Sequence, residues 1–242
     1  PGLYVLGAPP SLGKTTFALQ LADQLAAHGE HVLYFSLEQS KFEMVSKSLA
    51  RITAQTDRQT AKTSLEIRAG EITPAVIAAD NTYRETIGDR VSIIGGNFGM
   101  TAADIINRTA QYIKVRKVKP IVIIDYLQIL AGAEKRQAGR ELIDENVTRI
   151  RQYCGQNQLT VIVISSVNRS NYMAPFDYES LKESGGIEAT ADVVWGLQLA
   201  VISENAVFEK DKDITKKRKV ITEAKSATPR RNGASYTVAQ AL

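Results

Sequence analysis

Cysteine is almost missing from this sequence. Cys154 is the sole one in 242 residues, so no internal disulfide can brace the fold. It falls on the apolar face of a predicted helix and reads as a small core residue in a reducing compartment, which makes the cytoplasm the expected location. Long apolar runs are missing too. None approaches the roughly 20 residues that a membrane helix needs, and no membrane partner is expected. No secretory signal or transit peptide is visible. Histidine is scarce: His28 and His31 flank a glycine, and nothing near them has metal-ligand spacing. With no low-complexity break and no internal repeat, residues 1–242 read as one large domain with a substantial core. The first residue is proline rather than methionine, one position before the glycine that leads into a strand, so a domain cut from a longer protein is expected. A net charge of +4 permits nucleic-acid binding without requiring it.

What is present is concentrated in the first sixteen residues. Leu3 to Leu6 is a short strand-like run, and Gly13, Lys14 and Thr15 open a helix. Between them Gly7, Ala8, Pro9, Pro10, Ser11 and Leu12 form a loop of phosphate size. Strand, loop and helix N-terminus in this order make an anion nest, because inward-turned N–H groups and the helix dipole act on the same point. In that arrangement Ala8 to Thr16 surround the nucleotide, Lys14 reaches the β/γ-phosphates and the Thr15 hydroxyl sits on Mg²⁺. The first glycine of the strict G-x-x-x-x-G-K-[ST] pattern is Ala8 here, a mild departure because alanine is the smallest residue with a Cβ.

The rest of the chain alternates strands and helices, as an α/β fold with a mostly parallel sheet requires. Phe17, Leu21 and Leu25, with Ala18 and Ala22 beside them, make a helical stripe that Gly29 ends. His31 to Leu37 reads as a buried strand with Glu38 at its carboxyl end, and Ser40 to Glu43 has the form of a capping box for a helix through Val45, Leu49 and Ile52. Glu38 is therefore either a charged turn residue or a group at the sheet edge where ligands sit. Residues 53–90 are polar and helical in flavour, with a break at Thr73-Pro74. Val91 to Gly96 is a strand, and Thr101 to Asp104 caps a helix through Ile105, Ile106, Ala110 and Ile113. Its basic end (Lys114, Arg116, Lys117, Lys119) complements the helix dipole or forms a nucleic-acid patch. Ile121 to Ile124 is the most hydrophobic strand, and it ends in Asp125. A carboxylate fixed at the end of a central strand is placed to hold the Mg²⁺ shell. Residues 131–140 read as a loop, Ile143, Val147, Ile150 and Cys154 as a helix face, Thr160 to Ile164 and Val193 to Leu199 as strands. Lys219 to Ala224 and Ser235 to Ala241 read as closing strands.

With these residues in place the chain resembles the carboxyl-terminal, RecA-like motor domain of the DnaB-type bacterial and phage replicative helicases, over nearly its full length. The resemblance lies in Pro10 to Thr16, in Phe35-Ser36-Leu37-Glu38, in Asp125-Tyr126-Leu127-Gln128, in Asn168-Arg169-Ser170, and in Glu183 to Gly185 with Ile187, Glu188 and Ala191 to Val194. It implies a P-loop ATPase with antiparallel strands at the carboxyl end of its sheet. ATP and Mg²⁺ are then its nucleotide and metal. Lys14 and Thr15 bind phosphate and metal, Asp125 holds the metal shell, and Glu38 polarises the attacking water. Arg231 corresponds to the arginine finger that acts across a subunit interface, with Lys225 as a second basic finger, because Pro229 replaces the family's lysine. Ser166 stands where the family has a glutamine that senses the γ-phosphate. Gln128, Ser166, Asn168 and Arg169 are thus the sensor and coupling candidates. Lys135, Arg136 and Arg140 either meet single-stranded DNA phosphates or belong to a solvated loop.

The resemblance further implies a hexameric ring in the full-length protein, and a primase module or helicase loader as partner. The family's amino-terminal collar is not in this chain. Two other readings stay open: a RecA-like recombinase or loader ATPase, and a nucleotide-binding scaffold with little hydrolysis. Ring contacts are heterologous and the collar strengthens them, so the chain alone is expected to be monomeric or weakly associating. Light scattering on a dilute sample should give the mass of one chain; a stable hexamer would overturn this.

Overall fold

The computed structural model describes residues 1–95, 99–132, 140–168, 176, 180–181, 187, 190–199 and 236–241. Alternating apolar stretches become strand β1 (Gly2–Ala8), helix α1 (Lys14–Ala27), β2 (Val32–Ser36), α2 (Lys41–Thr56), α3 (Ser64–Arg68), α4 (Pro74–Thr86), β3 (Val91–Gly95), α5 (Ala102–Arg116), β4 (Ile121–Asp125), α6 (Arg140–Asn157), β5 (Thr160–Ser166), β6 (Val193–Leu199) and β7 (Tyr236–Ala241). The sheet order is β3-β2-β4-β5-β1-β6-β7. The first six strands are parallel, and β7 runs antiparallel on β6. This is the expected α/β architecture. Of the two expected closing strands, Lys219 to Ala224 lies outside the described residues.

Local chemistry sets the helix starts. The Ser40–Glu43 and Thr101–Asp104 capping boxes both form. A third, Thr63–Glu66, starts the short α3 inside the polar stretch. There the exposed Glu66 carboxyl is held down to about 2, chiefly by the Thr63 hydroxyl and N–H. The Thr73-Pro74 break is the start of α4, with the Thr73 hydroxyl accepting from the Val76 N–H and Pro74 in the first turn. At the end of α1, Gly29 takes φ 96°, and the N–H groups of Gly29 and Glu30 donate to Ala26 O and Leu25 O, a Schellman closure.

Both faces of the sheet are covered. Leu3, Val5, Leu33, Phe35, Val122, Ile124, Val161 and Val163 pack with α5 and α6 on one face. Leu6, Tyr34, Ile123, Ile162 and Ile164 pack with α1, α2 and α4 on the other. The strand period of two thus splits one set of strands between two cores. The α1 stripe packs on the sheet as expected, with its small residues innermost. In α1 the buried side is Ala18, Leu19, Ala22 and Ala26, with Phe17, Leu21 and Leu25 only partly covered, because small residues let the helix approach the sheet. In α5 Ala102, Ile105 and Thr109 are buried and Ala110 is exposed; the Thr109 hydroxyl donates to Ile105 O at 2.7 Å, which satisfies its polarity in the core.

Phe176 ties the stretch after β5 back to the sheet. Its N–H donates to the Gln198 Oε1 at 2.8 Å. Its ring lies on two glycines: a Cβ on Gly196 would stand 2.3 Å from the ring, and one on Gly7 would meet both Phe176 and Leu181 below 3 Å. We expect Gly196→Ala to cost about 1–3 kcal/mol through overpacking. Chemical denaturation checks it, and an unchanged midpoint would show that the ring can move aside.

Candidate nucleotide-binding site

The carboxyl ends of the parallel strands share one edge, and four of them bring the candidate residues together. β1 and β4 both border β5, and β2 borders β4. Registers pair Ala8 with Ser166 and Ser36 with Asp125. Such an edge is where open α/β sheets bind ligands.

After β1 the loop turns through Ser11 at φ 61° and Gly13 at φ 94°. Nothing lies within 4 Å of where a Gly13 Cβ would be, so the left-handed backbone, and not space, calls for glycine there. The first turn of α1 has no acidic residue. Its first backbone bond runs from the Phe17 N–H to Gly13 O at 2.8 Å, so the N–H groups of Lys14, Thr15 and Thr16 have no intrahelical acceptor. With Lys14 they direct positive charge at one point, an arrangement that suits an anion. The Lys14 ammonium lies 5.1 Å from the centre of the Tyr126 ring, a cation–π distance.

Asp125 ends β4 with only 3% of its surface exposed. The Tyr34 hydroxyl, one strand away on β2, donates to Oδ2 at 2.9 Å. Among the described residues Oδ1 has no hydrogen-bond partner, and it is buried. Burial pushes the carboxyl up from its ordinary range; the Thr15 and Tyr34 hydroxyls and the Lys14 ammonium pull it back, and Glu38 adds to the rise. The Asp125–Tyr126 peptide bond is cis. A buried carboxylate oxygen with an open lone pair, next to the Thr15 hydroxyl, is a donor set that fits Mg²⁺, which takes few protein oxygens beside substrate phosphates.

Glu38 is exposed, one residue past Leu37, whose N–H donates to Asp125 O at 2.8 Å. Glu38 thus overhangs the same edge as Asp125 and Lys14. Gln128, in a short 3₁₀ turn after β4, braces the end of β5. Its Nε2 donates to Ser165 Oγ at 2.9 Å, and its Oε1 accepts from the Ser166 N–H at 3.3 Å. Ser166 therefore sits beside Ala8 at the root of the loop. Asn168 clamps the returning chain: its N–H donates to Ser180 O at 2.8 Å and its Nδ2 to Leu181 O at 3.1 Å. Arg140 opens α6, with its side chain outside what is described. Lys135, Arg136, Arg169, Lys225 and Arg231 lie outside the described residues. Sequence reasoning missed Tyr34, whose role depends on the β2–β4 register, and Tyr126. Among the described residues no helix is long and apolar enough to cross a membrane.

Comparison with known proteins gives the chain a family and a fold. The family model described as DnaB-like helicase C terminal domain matches residues 1–240. The replicative DNA helicase DnaB of Leifsonia xyli subsp. xyli is 28% identical over 216 residues, which cover 87% of this chain and 44% of that protein. The chain spans about two-fifths of the length of the curated relatives it matches. Two solved structures share the fold, each with a TM-score of 0.70 and 22% identity over 88% of this chain. One is an ATPase domain, of which 73% is covered. The other is a DnaB-like replicative helicase described with its interactions with primase, of which 50% is covered.

The buried carboxylate yields a test. Because burial raises its pKa, Asp125 favours folding most when protonated, and that contribution is lost as pH rises through the folded pKa. Asp125→Asn should therefore stabilise the magnesium-free protein at neutral pH, by on the order of 1 kcal/mol. The gain should shrink as pH falls through the carboxylate range. Thermal melts of both proteins across pH check this, and a less stable variant at neutral pH would refute it.

Proposed function

The chain belongs to the DnaB-like helicase C-terminal domain family, and from that membership we propose that it is the ATP-hydrolysing motor of a replicative DNA helicase. The observation that carries the reading is the meeting, at one sheet edge, of an open helix N-terminus with Lys14, a buried Asp125, and an exposed Glu38.

In this reading the N–H groups of Lys14, Thr15 and Thr16, with the loop from Ala8 to Gly13, wrap the triphosphate. The Lys14 ammonium neutralises the β- and γ-phosphates. Thr15 and Asp125 would hold Mg²⁺, which would supply positive charge to offset the charge that develops on the phosphates. Glu38 accepts a proton from the attacking water, and its exposure leaves room for that water. Ser166 and Gln128, joined to each other beside Ala8, relay the state of the γ-phosphate. Asn168 and Arg169 carry it into the chain after β5. Arg231, assisted by Lys225, completes a neighbour's site in trans, a contribution of about 10³ to 10⁵ in turnover for such fingers. Lys135, Arg136 and Arg140 hold single-stranded DNA by its phosphates, without reading bases. The protein acts as a hexameric ring in the cytoplasm and works with a primase or a loader.

The test is ATP hydrolysis with and without single-stranded DNA across protein concentration. Turnover should rise with both, and negligible hydrolysis at every concentration despite Mg-ATP binding would overturn the reading. Glu38→Gln should lower turnover by at least about 10²-fold while sparing Mg-ATP binding.

A further inference from the structure

Glu38 is exposed, so no packing aims it; its direction depends on the arch Ser36–Gln39 that carries it from β2 to α2. Three contacts hold that arch. On the strand side the buried Ser36 hydroxyl donates to Gln39 O at 2.7 Å, and the Leu37 N–H donates to Asp125 O at 2.8 Å. On the far side the Lys47 Nζ, from the second turn of α2, donates to Gln39 Oε1 at 2.7 Å. This bond ties Gln39 itself to the helix, beside the Ser40–Glu43 capping box that holds the next residue.

The surroundings keep Lys47 on that task. Glu43, one turn earlier on α2 and the nearest rival acceptor on the same helix face, is paired with Arg68 of α3. Lys47 is half-buried, and Asp125, Glu43 and Glu38 attract it while Arg68 repels it. It also lines the same cavity as Thr16, the residue that follows the candidate metal ligand. An ordinary lysine–glutamine contact on a surface would merely add a weak bond. This one closes a ring of contacts from Asp125 through Leu37, Glu38 and Gln39 to α2.

We propose that Lys47 is a positioning residue of the hydrolytic reaction: through Gln39 it fixes the arch and so aims the Glu38 carboxylate at the attacking water. The inference rests on Glu38 being the general base. A base displaced by about 1 Å can lose on the order of 10²-fold in rate, whereas the phosphate cradle on α1 is untouched by the arch. The effect therefore falls on kcat and not on nucleotide affinity.

Lys47→Met keeps most of the stem and removes the donor; Gln39→Leu removes the acceptor. Steady-state ATP hydrolysis by the chain with single-stranded DNA should show kcat lowered about tenfold or more in each, with KM within about twofold of the original. The double variant should be no worse than either single one, because both break the same link. Lys47→Arg, which retains a donor, should recover most of the rate. Unchanged kcat in Lys47→Met, or losses that multiply in the double variant, would overturn the proposal. A purely structural lysine would instead lower the melting midpoint and leave kcat per folded molecule intact. Glu38→Gln in the same assay separates the two levels. If it retains full turnover, the base assignment fails; if it abolishes turnover while Lys47→Met does not matter, only the positioning role fails.

Discussion

A carboxylate removed from water at the end of a central strand is the constraint on which the site depends. Keeping the Asp125 carboxylate buried away from water costs folding energy. That cost is tolerable because β4 lies deep in a parallel sheet, flanked by β2 and β5 and covered on both faces. Tyr34 then supplies one hydrogen bond from the neighbouring strand. Everything else at the edge is arranged with respect to this fixed point: the helix N-terminus with Lys14, the arch with Glu38, and the turn with Gln128.

The register of the strands converts that point into a site. Because Ser36 is paired with Asp125 and Ala8 with Ser166, residues far apart in the chain end at the same level. A slip of one residue in either pair would turn the side chains to the opposite face of the sheet. The two cores resist such a slip, since each strand has apolar residues committed on both sides. Phe176 adds a lock at β1 and β6, where only glycine leaves room for its ring.

Much of this was legible in the sequence because it is local. The loop before Lys14, the strand ending in Asp125, and two of the capping boxes are each written within a few adjacent residues, and the structure contains them where expected. The short α3 was not legible, because five residues make no apolar period even though Thr63 and Glu66 spell a capping box. The Tyr34–Asp125 bond, the Lys47–Gln39 bond and the seat of Phe176 escaped for another reason. They depend on which elements become neighbours, and in a parallel sheet with crossover connections that order is not carried by periodicity. Which residues of α1 and α5 lie deepest depends on side-chain size and hydrogen bonding, which apolar periodicity does not rank. Ala22 packs closer than Leu21, and a satisfied Thr109 replaces Ala110 in the core.

The lone thiol links two of these elements. Cys154 on α6 is 1% exposed, donates its S–H to Leu159 O at 2.9 Å, and is pushed toward the protonated form by burial. It can meet an alkylating reagent only when the turn between α6 and β5 opens, and it has no competing thiol elsewhere in the chain. The native sequence thus has a built-in label at the rear of the strand that ends in Ser166. The rate at which that sulfur is modified reports how often this part of the core opens, with no engineered probe and no disturbance of the opposite edge of the sheet.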